Sequence, residues 1–191
     1  MATVLGAFSK PIYKRNFEFP EIDLSGEKWL TSEHNSRTLD CDIFSRPEFK
    51  PFRDIAVQCT NEYFYDLMET ARDTEIYITG SWVNKTTRGQ GHRAHTHPNS
   101  ILSGTMYIDG DYFTTRFMSN PSLIEFQYVN HNIWNTKHHV LGFQKGDVCI
   151  FPGELSHAVD TYTGDKPRIT IAWNTFVRGV INESLTIDLV I

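Results

Sequence analysis

The sequence predicts a mainly β fold, an antiparallel sandwich or jelly roll with one N-terminal helix packed on its outside. From residue 75 onward, residues alternate with period two in segments bounded by glycine, proline or asparagine, namely EIYITGSWVN, SILSGTMYI, GDVCIF, PRITIAWN and SLTIDLVI. Before these segments there is one strong helical pattern. A helix followed by many short strands is typical of such a fold.

The predicted helix begins at Ser45-Arg46-Pro47-Glu48, which has the S-x-x-E form of a capping box, with a proline tolerated near the start. Apolar side chains then follow at helical spacing: Phe52, Ile55, Ala56, Cys59, Tyr63 and Leu67. We expect this stripe to pack against the outside of the sheet. Residues 1–44 are expected to form an irregular arm, with short strands in ATVLGAF and YKRNFEF.

A chain of 191 residues is a natural length for a single domain. We expect one domain over 1–191, with the arm and helix in 1–74 and the jelly-roll core in 75–191. No apolar run approaches the roughly 18 residues that would span a bilayer, and the N-terminus lacks the pattern of a secretion signal. The sequence therefore predicts a cytoplasmic protein that does not bind a membrane.

Charge and cysteine content exclude further classes. The formal net charge is −5 and no basic block stands out, which argues against a nucleic-acid partner. Cys41, Cys59 and Cys149 are odd in number and form no CxxC, so we expect reduced thiols rather than disulfides or a zinc knuckle. The sequence does not indicate an oligomeric state.

Three of the eight histidines have a pattern that suits metal binding. His95 and His97 form an H-x-H pair, and residues two apart in an extended segment face the same side. His157 follows much later, after GDVCIFPGELS. Two ligands from one strand and one from a distant strand can form a facial triad with open coordination positions. The remaining histidines lack this context and are expected at the surface or in packing, with His131 or His138 as candidates for a lid: His34, His92, His131, His138 and His139.

Two predicted strands have a polar and an apolar face. In the strand after the H-x-H pair, Ser103, Thr105 and Tyr107 share the polar face. In the later strand, Arg168 and Thr170 share a face with Ala172 and Asn174. An arginine that opens a strand beside a threonine can bind a carboxylate through a charge-assisted, bidentate contact. The alternative is an arginine that extends to solvent. Arg168 lies 11 residues after His157, and this spacing favours the ligand-binding interpretation.

Together these residues resemble the iron(II)/2-oxoglutarate-dependent oxygenase superfamily, and most closely a group of such oxygenases found in bacteria and marine phages. The matching stretches are SWVNKTTRGQGHRAHTHPNSILSGTMYI and GDVCIFPGELSHAV…KPRITIAWN, which span roughly residues 80–175. The resemblance implies a double-stranded β-helix (jelly roll) and a dioxygenase that hydroxylates an unidentified prime substrate, releasing succinate and carbon dioxide. If the chain is phage-encoded, its location would be the host cytoplasm.

The resemblance also implies the site. His95 and His97 take the place of the H-x-D/E pair and His157 that of the distal histidine, so these three would be the catalytic Fe(II) ligands. Arg168 and Thr170 match the R-x-S/T pair that binds the far carboxylate of the cosubstrate 2-oxoglutarate, O2 is the co-reactant, and ascorbate is a candidate stimulant. Where the prolyl-hydroxylase branch has further cosubstrate ligands, this chain has Ser103 and Tyr107.

One departure from the family pattern is that His97 stands where a carboxylate ligand is usual. Iron held by three neutral histidines would keep one more unit of positive charge, which should raise its reduction potential and tighten the binding of anionic 2-oxoglutarate.

Two rival interpretations stay open. A cupin-type metalloenzyme could use three histidines, and GDVCIFPGELSH resembles a cupin motif, but a cupin has no need of the Arg168–Thr170 pair. The other rival is a non-catalytic structural or carbohydrate-binding jelly roll. The segment from Ser119 to His139, rich in amides and aromatics, is expected to form either a β excursion or a loop over the mouth of the fold, and to influence specificity.

Overall fold

The computed structural model describes residues 9–119, 127–133, 135–181 and 189–190. Its strands form two sheets, in which every named pair of strands is antiparallel. The described part of the major sheet has eight strands: β1 (Tyr13–Asn16), β2 (Trp29–Thr31), β3 (Ser36–Thr38), β4 (Thr74–Thr86), β6 (Leu102–Asp109), β9 (Asp147–Pro152), β11 (Arg168–Ile181) and β12 (Leu189–Val190). The described part of the minor sheet has four: β5 (His92–His95), β7 (Phe113–Met118), β8 (His138–Phe143) and β10 (His157–Val159).

The order of strands brings distant parts of the chain side by side. The major sheet runs β1-β9-β6-β11-β4-β3-β2, with β12 paired to β11, and the minor sheet runs β5-β10-β7-β8. This is the predicted mainly β jelly-roll architecture. Four of the period-two segments became β4, β6, β9 and β11, and YKRNFEF supplied β1. ATVLGAF and most of SLTIDLVI fall outside the described residues.

The predicted helix is α1 (Lys50–Asn61), which continues into a π-helical turn at Glu62–Leu67. Its stripe packs on the outer face of the major sheet as predicted, with Phe52, Ala56, Cys59 and Tyr63 buried. Leu67 is half exposed, because the wider π-helical turn rotates it off the stripe. No helix in the described residues combines the length and the apolar character that a bilayer crossing needs.

The predicted capping box is wrong. Ser45 ends a separate 3-10 turn (Ile43–Ser45), and its hydroxyl donates to the carbonyl of Asp42 at 2.8 Å. Glu48 lies in a second 3-10 turn (Pro47–Phe49) and accepts from the Arg46 guanidinium. The α-helix starts after both turns, with Pro51 in its first turn and no side-chain cap. Proline is favoured at this position because its missing N–H would have no partner there.

Two apolar cores lie on either side of the major sheet. The outer core, between the sheet and α1, contains Trp173, whose indole N–H donates to Thr60 at 3.1 Å. The inner core is largely aromatic and consists of Tyr107, Phe113, Phe117, Phe143, Cys149 and Phe151. Tyr107 and Phe151 also line a cavity, so the inner core forms one wall of it.

Gly104 in β6 leaves room for the indole ring of Trp173, which lies opposite it on β11. A Cβ at Gly104 would overlap that ring, so we expect Gly104→Ala to lower the free energy of unfolding by about 1–3 kcal/mol, as overpacked cores do. Gly142→Ala is the matched control, since a Cβ added at Gly142 would have no atom within 4 Å. Urea unfolding of both variants measures the effect, and equal stabilities would refute it.

Candidate metal centre and anion-binding cavity

The cavity floor is built from the inward faces of β4, β11 and β6. Because side chains two apart share a face, strand pairing arranges them in rows across the sheet. From one end the rows that line the cavity are Thr86 and Arg168; then Asn84, Thr170 and Tyr107; then Trp82, Ala172 and Thr105. The next row, Asn174 and Ser103, lies just beyond the lining. Arg168 and Asn174 therefore lie at opposite ends of this series of rows.

The three predicted histidines come together at the Asn174 end. His95 ends β5, His97 follows two residues later, and His157 opens β10 directly opposite His95. One ring nitrogen from each lies within 4.8 Å of the other two, and the Nε2 atoms of His97 and His157 are 3.3 Å apart. Among the described residues this is the cluster that could hold a metal ion.

The hydrogen bonds of the rings fix which nitrogen faces the cluster. His95 Nδ1 lies 2.8 Å from the carbonyl of Arg93, and His157 Nδ1 lies 3.0 Å from the carbonyl of Leu155. A carbonyl oxygen can only accept, so in both rings Nδ1 carries the proton and Nε2 presents a lone pair. His97 Nδ1 lies 2.7 Å from the side-chain oxygen of Asn174, which implies the same tautomer.

This arrangement fits a metal ion. Burial lowers the pKa of His157 to about 3 and also lowers that of His97, so at neutral pH no proton bridges their facing lone pairs. Metal–imidazole bonds of about 2.1 Å at angles of about 90–110° put two nitrogens roughly 3.0–3.4 Å apart, which matches the observed 3.3 Å. Three imidazoles on one side of an ion leave positions open for other ligands.

Arg168 provides a buried positive charge at the other end of the cavity. Arg168 is 6% exposed. Its guanidinium donates to Thr86 Oγ1 at 3.2 Å and lies 5.3 Å from the ring centroid of Tyr162. Within the parts of the chain that the structure describes, no carboxylate pairs with it. Burial accordingly lowers its pKa. A buried cation without a counter-ion is costly, and an anionic ligand would offset that cost.

Between the two ends the floor is polar but uncharged. Thr170 is buried and lines the cavity, and the buried Tyr107 hydroxyl hydrogen-bonds with Thr115 Oγ1 at 2.9 Å. Both lie in the row next to that of Arg168. Ser103 differs. It does not line the cavity, and its hydroxyl donates to Asn174 at 2.9 Å, which places it at the histidine end instead of the arginine end.

Sequence reasoning gave no role to three residues of this site. Trp82 stacks on the His97 ring with centroids 6.4 Å apart, and His92 meets His95 edge-on at 4.9 Å. Burial lowers the pKa of His92 to about 4, so this ring is neutral at pH 7. Asn174 is the third, through its contact with His97. The alternation of β11 placed Asn174 on the face of Arg168 without giving it a role, and that of β4 could have placed Trp82 on the inner face in the same way. No local pattern signals His92.

Three solved structures show what this jelly roll resembles. An oxidoreductase of the 2OG-Fe(II) oxygenase family from Burkholderia pseudomallei aligns with a TM-score of 0.55 at 12% identity, over 80% of this chain and 73% of its own. The epimerase SnoN, in complex with Fe3+, alpha ketoglutarate and nogalamycin RO, aligns with a TM-score of 0.57 at 11% identity, over 82% and 72%. HygX from Streptomyces hygroscopicus, with nickel, 2-oxoglutarate and hygromycin B bound, aligns at 0.52 and 10%, over 80% and 74%. At these identities the likeness shows the fold.

The matching fold defines the architecture as a jelly roll, and the grouped histidines define a candidate metal centre within it. The family model described as "Putative 2OG-Fe(II) oxygenase" matches residues 80–174, about half of the chain. This part includes the three histidines, Arg168 and Thr170. The chain belongs to this 2OG-Fe(II) oxygenase family. No curated protein sequence matches it.

Proposed function

We propose that this protein is an iron(II)- and 2-oxoglutarate-dependent dioxygenase in which His95, His97 and His157 hold the iron. The observation that carries the proposal is that one cavity has two unlike ends. Three histidine nitrogens meet at one end, and at the other lies the buried Arg168, which has no carboxylate partner among the described residues. A ligand that chelates a metal through one end and carries an anion at the other suits both. 2-Oxoglutarate is such a molecule.

The chain's own residues would hold the cosubstrate as follows. Arg168 would bind the distal carboxylate through its paired N–H groups, and the Thr170 hydroxyl would support it from the neighbouring row. The Tyr107 phenol is fully buried and burial raises its pKa, so it stays protonated and can donate as well. Ser103 is too far along the floor to join them, and we assign it to the histidines instead.

Bound iron(II) would supply the activation of O2 coupled to oxidative decarboxylation of 2-oxoglutarate into succinate and carbon dioxide, with oxidation of a prime substrate. The protein's part is positioning and the exclusion of water. Phe151 and Trp82 cover two sides of His97, at centroid distances of 6.1 and 6.4 Å. We propose hydroxylation as the outcome for the prime substrate, and ascorbate as the reductant that keeps the iron active.

Anaerobic binding of 2-oxoglutarate to the iron(II)-loaded protein tests this proposal. We expect saturable binding in calorimetry, and slow formation of succinate from 2-oxoglutarate once O2 and ascorbate are added. Metal-free protein should bind 2-oxoglutarate far more weakly, because it lacks the chelating end. A metal-loaded protein without affinity for 2-oxoglutarate would refute the dioxygenase and favour a cupin-type three-histidine enzyme.

A further inference from the structure

The three histidines differ in what holds their Nδ1 nitrogens. The Nδ1 atoms of His95 and His157 each bond to the backbone carbonyl two residues earlier, so these hydrogen bonds come from the histidines' own segments and not from a side chain. His97 bonds instead to the side chain of Asn174, 77 residues away on β11. The orientation of His97 therefore depends on a second residue that a substitution can change.

Asn174 is itself held in place. Its side-chain oxygen accepts from the Ser103 hydroxyl at 2.9 Å as well as facing His97 Nδ1 at 2.7 Å, and Ser103 is 1% exposed. Ser103 also lies 3.1 Å from the Ser100 hydroxyl, so its position is tied to the loop before β6. With its oxygen turned toward Ser103, the amide presents an acceptor to His97, and an acceptor requires the proton on Nδ1.

We infer that Asn174, held by Ser103, is a positioning residue that fixes His97 as an Nε2 metal ligand. The inference rests on the proposed function, because it assumes that the three histidines hold a metal. A histidine that binds a metal through Nε2 has a second ring nitrogen, Nδ1, which needs a hydrogen-bond partner. A carboxylate ligand has no such nitrogen. Asn174 and Ser103 supply the partner that this nitrogen needs.

Cobalt(II) binding to a set of variants tests the inference, since visible absorption of bound cobalt(II) reports its ligand set independently of turnover. Asn174→Leu removes the acceptor at similar size and should weaken cobalt(II) binding about 10–100-fold. Asn174→Asp keeps an acceptor and should bind at least as tightly as the parent. Asn16→Leu, which removes an exposed amide that bonds to Lys145 and Asp147 and lies outside the cavity, should bind like the parent.

The decisive comparison uses His97→Asp as a second background. Aspartate restores a carboxylate ligand and has no Nδ1, so adding Asn174→Leu there should change the cobalt(II) affinity by less than about threefold. Equal weakening in both backgrounds would mean that Asn174 has a general structural role and would overturn the inference. So would parent-like binding by Asn174→Leu.

Two further outcomes are separable. If Asn174→Leu fails to fold by circular dichroism, Asn174→Asp decides, and a tenfold weaker binding by that variant overturns the inference. If neither the parent nor His97→Asp binds cobalt(II), the metal site itself is refuted, and the proposed function fails with it.

Discussion

Replacing His157 with alanine should abolish the thermal stabilisation that iron(II) gives to the parent protein. A ligand that binds the folded state at a hundred times its Kd adds about 2.7 kcal/mol of stability. Losing one of three ligands should weaken the metal by at least about 100-fold, more than the loss of a residue that merely orients a ligand. The stabilisation would then shrink to nearly nothing. Thermal unfolding with and without iron(II), under anaerobic conditions, measures it, and His95→Ala should behave alike.

His139→Ala is the matched control, because this histidine is exposed on β8 and takes no part in the cluster. It should keep the full iron(II) response. Unfolding of each metal-free variant must be recorded first, since His157 is buried and its removal leaves a small cavity. If both His95→Ala and His157→Ala respond to iron(II) like the parent, the three histidines are not the metal site.

Arg168→Ala should weaken 2-oxoglutarate binding at least about tenfold while leaving iron(II) binding unchanged. A buried, charge-assisted hydrogen bond is worth roughly 1.5–3 kcal/mol, and a factor of ten corresponds to about 1.4 kcal/mol. Because no described carboxylate pairs with Arg168, its removal strands no buried anion, and the metal-free variant should be no less stable than the parent. Calorimetry on iron(II)-loaded, oxygen-free protein measures the affinity.

Arg116→Ala provides the comparison for this effect, since that arginine lies on β7 in an exposed pair with Asp160. It should leave 2-oxoglutarate affinity unchanged. Arg168→Lys keeps the charge but loses the paired donors, so we expect an intermediate affinity. Identical affinities for the parent, Arg168→Ala and Arg168→Lys would mean that the carboxylate binds elsewhere.

Much of this architecture was predictable because period-two patterning is strong in long strands. β4 and β11 each run for more than twelve residues, and their inner faces held the residues that the alternation indicated. β5 and β10 have four and three residues, too few for a period to emerge. The pairing of these two short strands brings His95 next to His157. This pairing depends on the whole fold, and no local sequence pattern indicates it.

Side-chain partners were harder to predict than side-chain directions. Ser103 does share a face with Tyr107, as its spacing indicates, but its partner is set by the residue opposite it on β11, which is Asn174. The capping box failed for a similar reason. Ser45 and Glu48 have the right spacing, yet each finds a nearer partner within a 3-10 turn before the helix starts.

The position of β5 has a consequence for the metal-free protein. This strand lies at an edge of the minor sheet, held along one side by the short β10, and it carries His95, with His97 just beyond it. Edge segments with few hydrogen bonds open at low free-energy cost, so local unfolding and amide hydrogen exchange should be fastest here. Bound metal would tie His95 to β10 through His157 and to β11 through His97 and Asn174. Bound metal would thus cross-link the two sheets. In the metal-free protein, proteases should cleave this edge before they cleave the core.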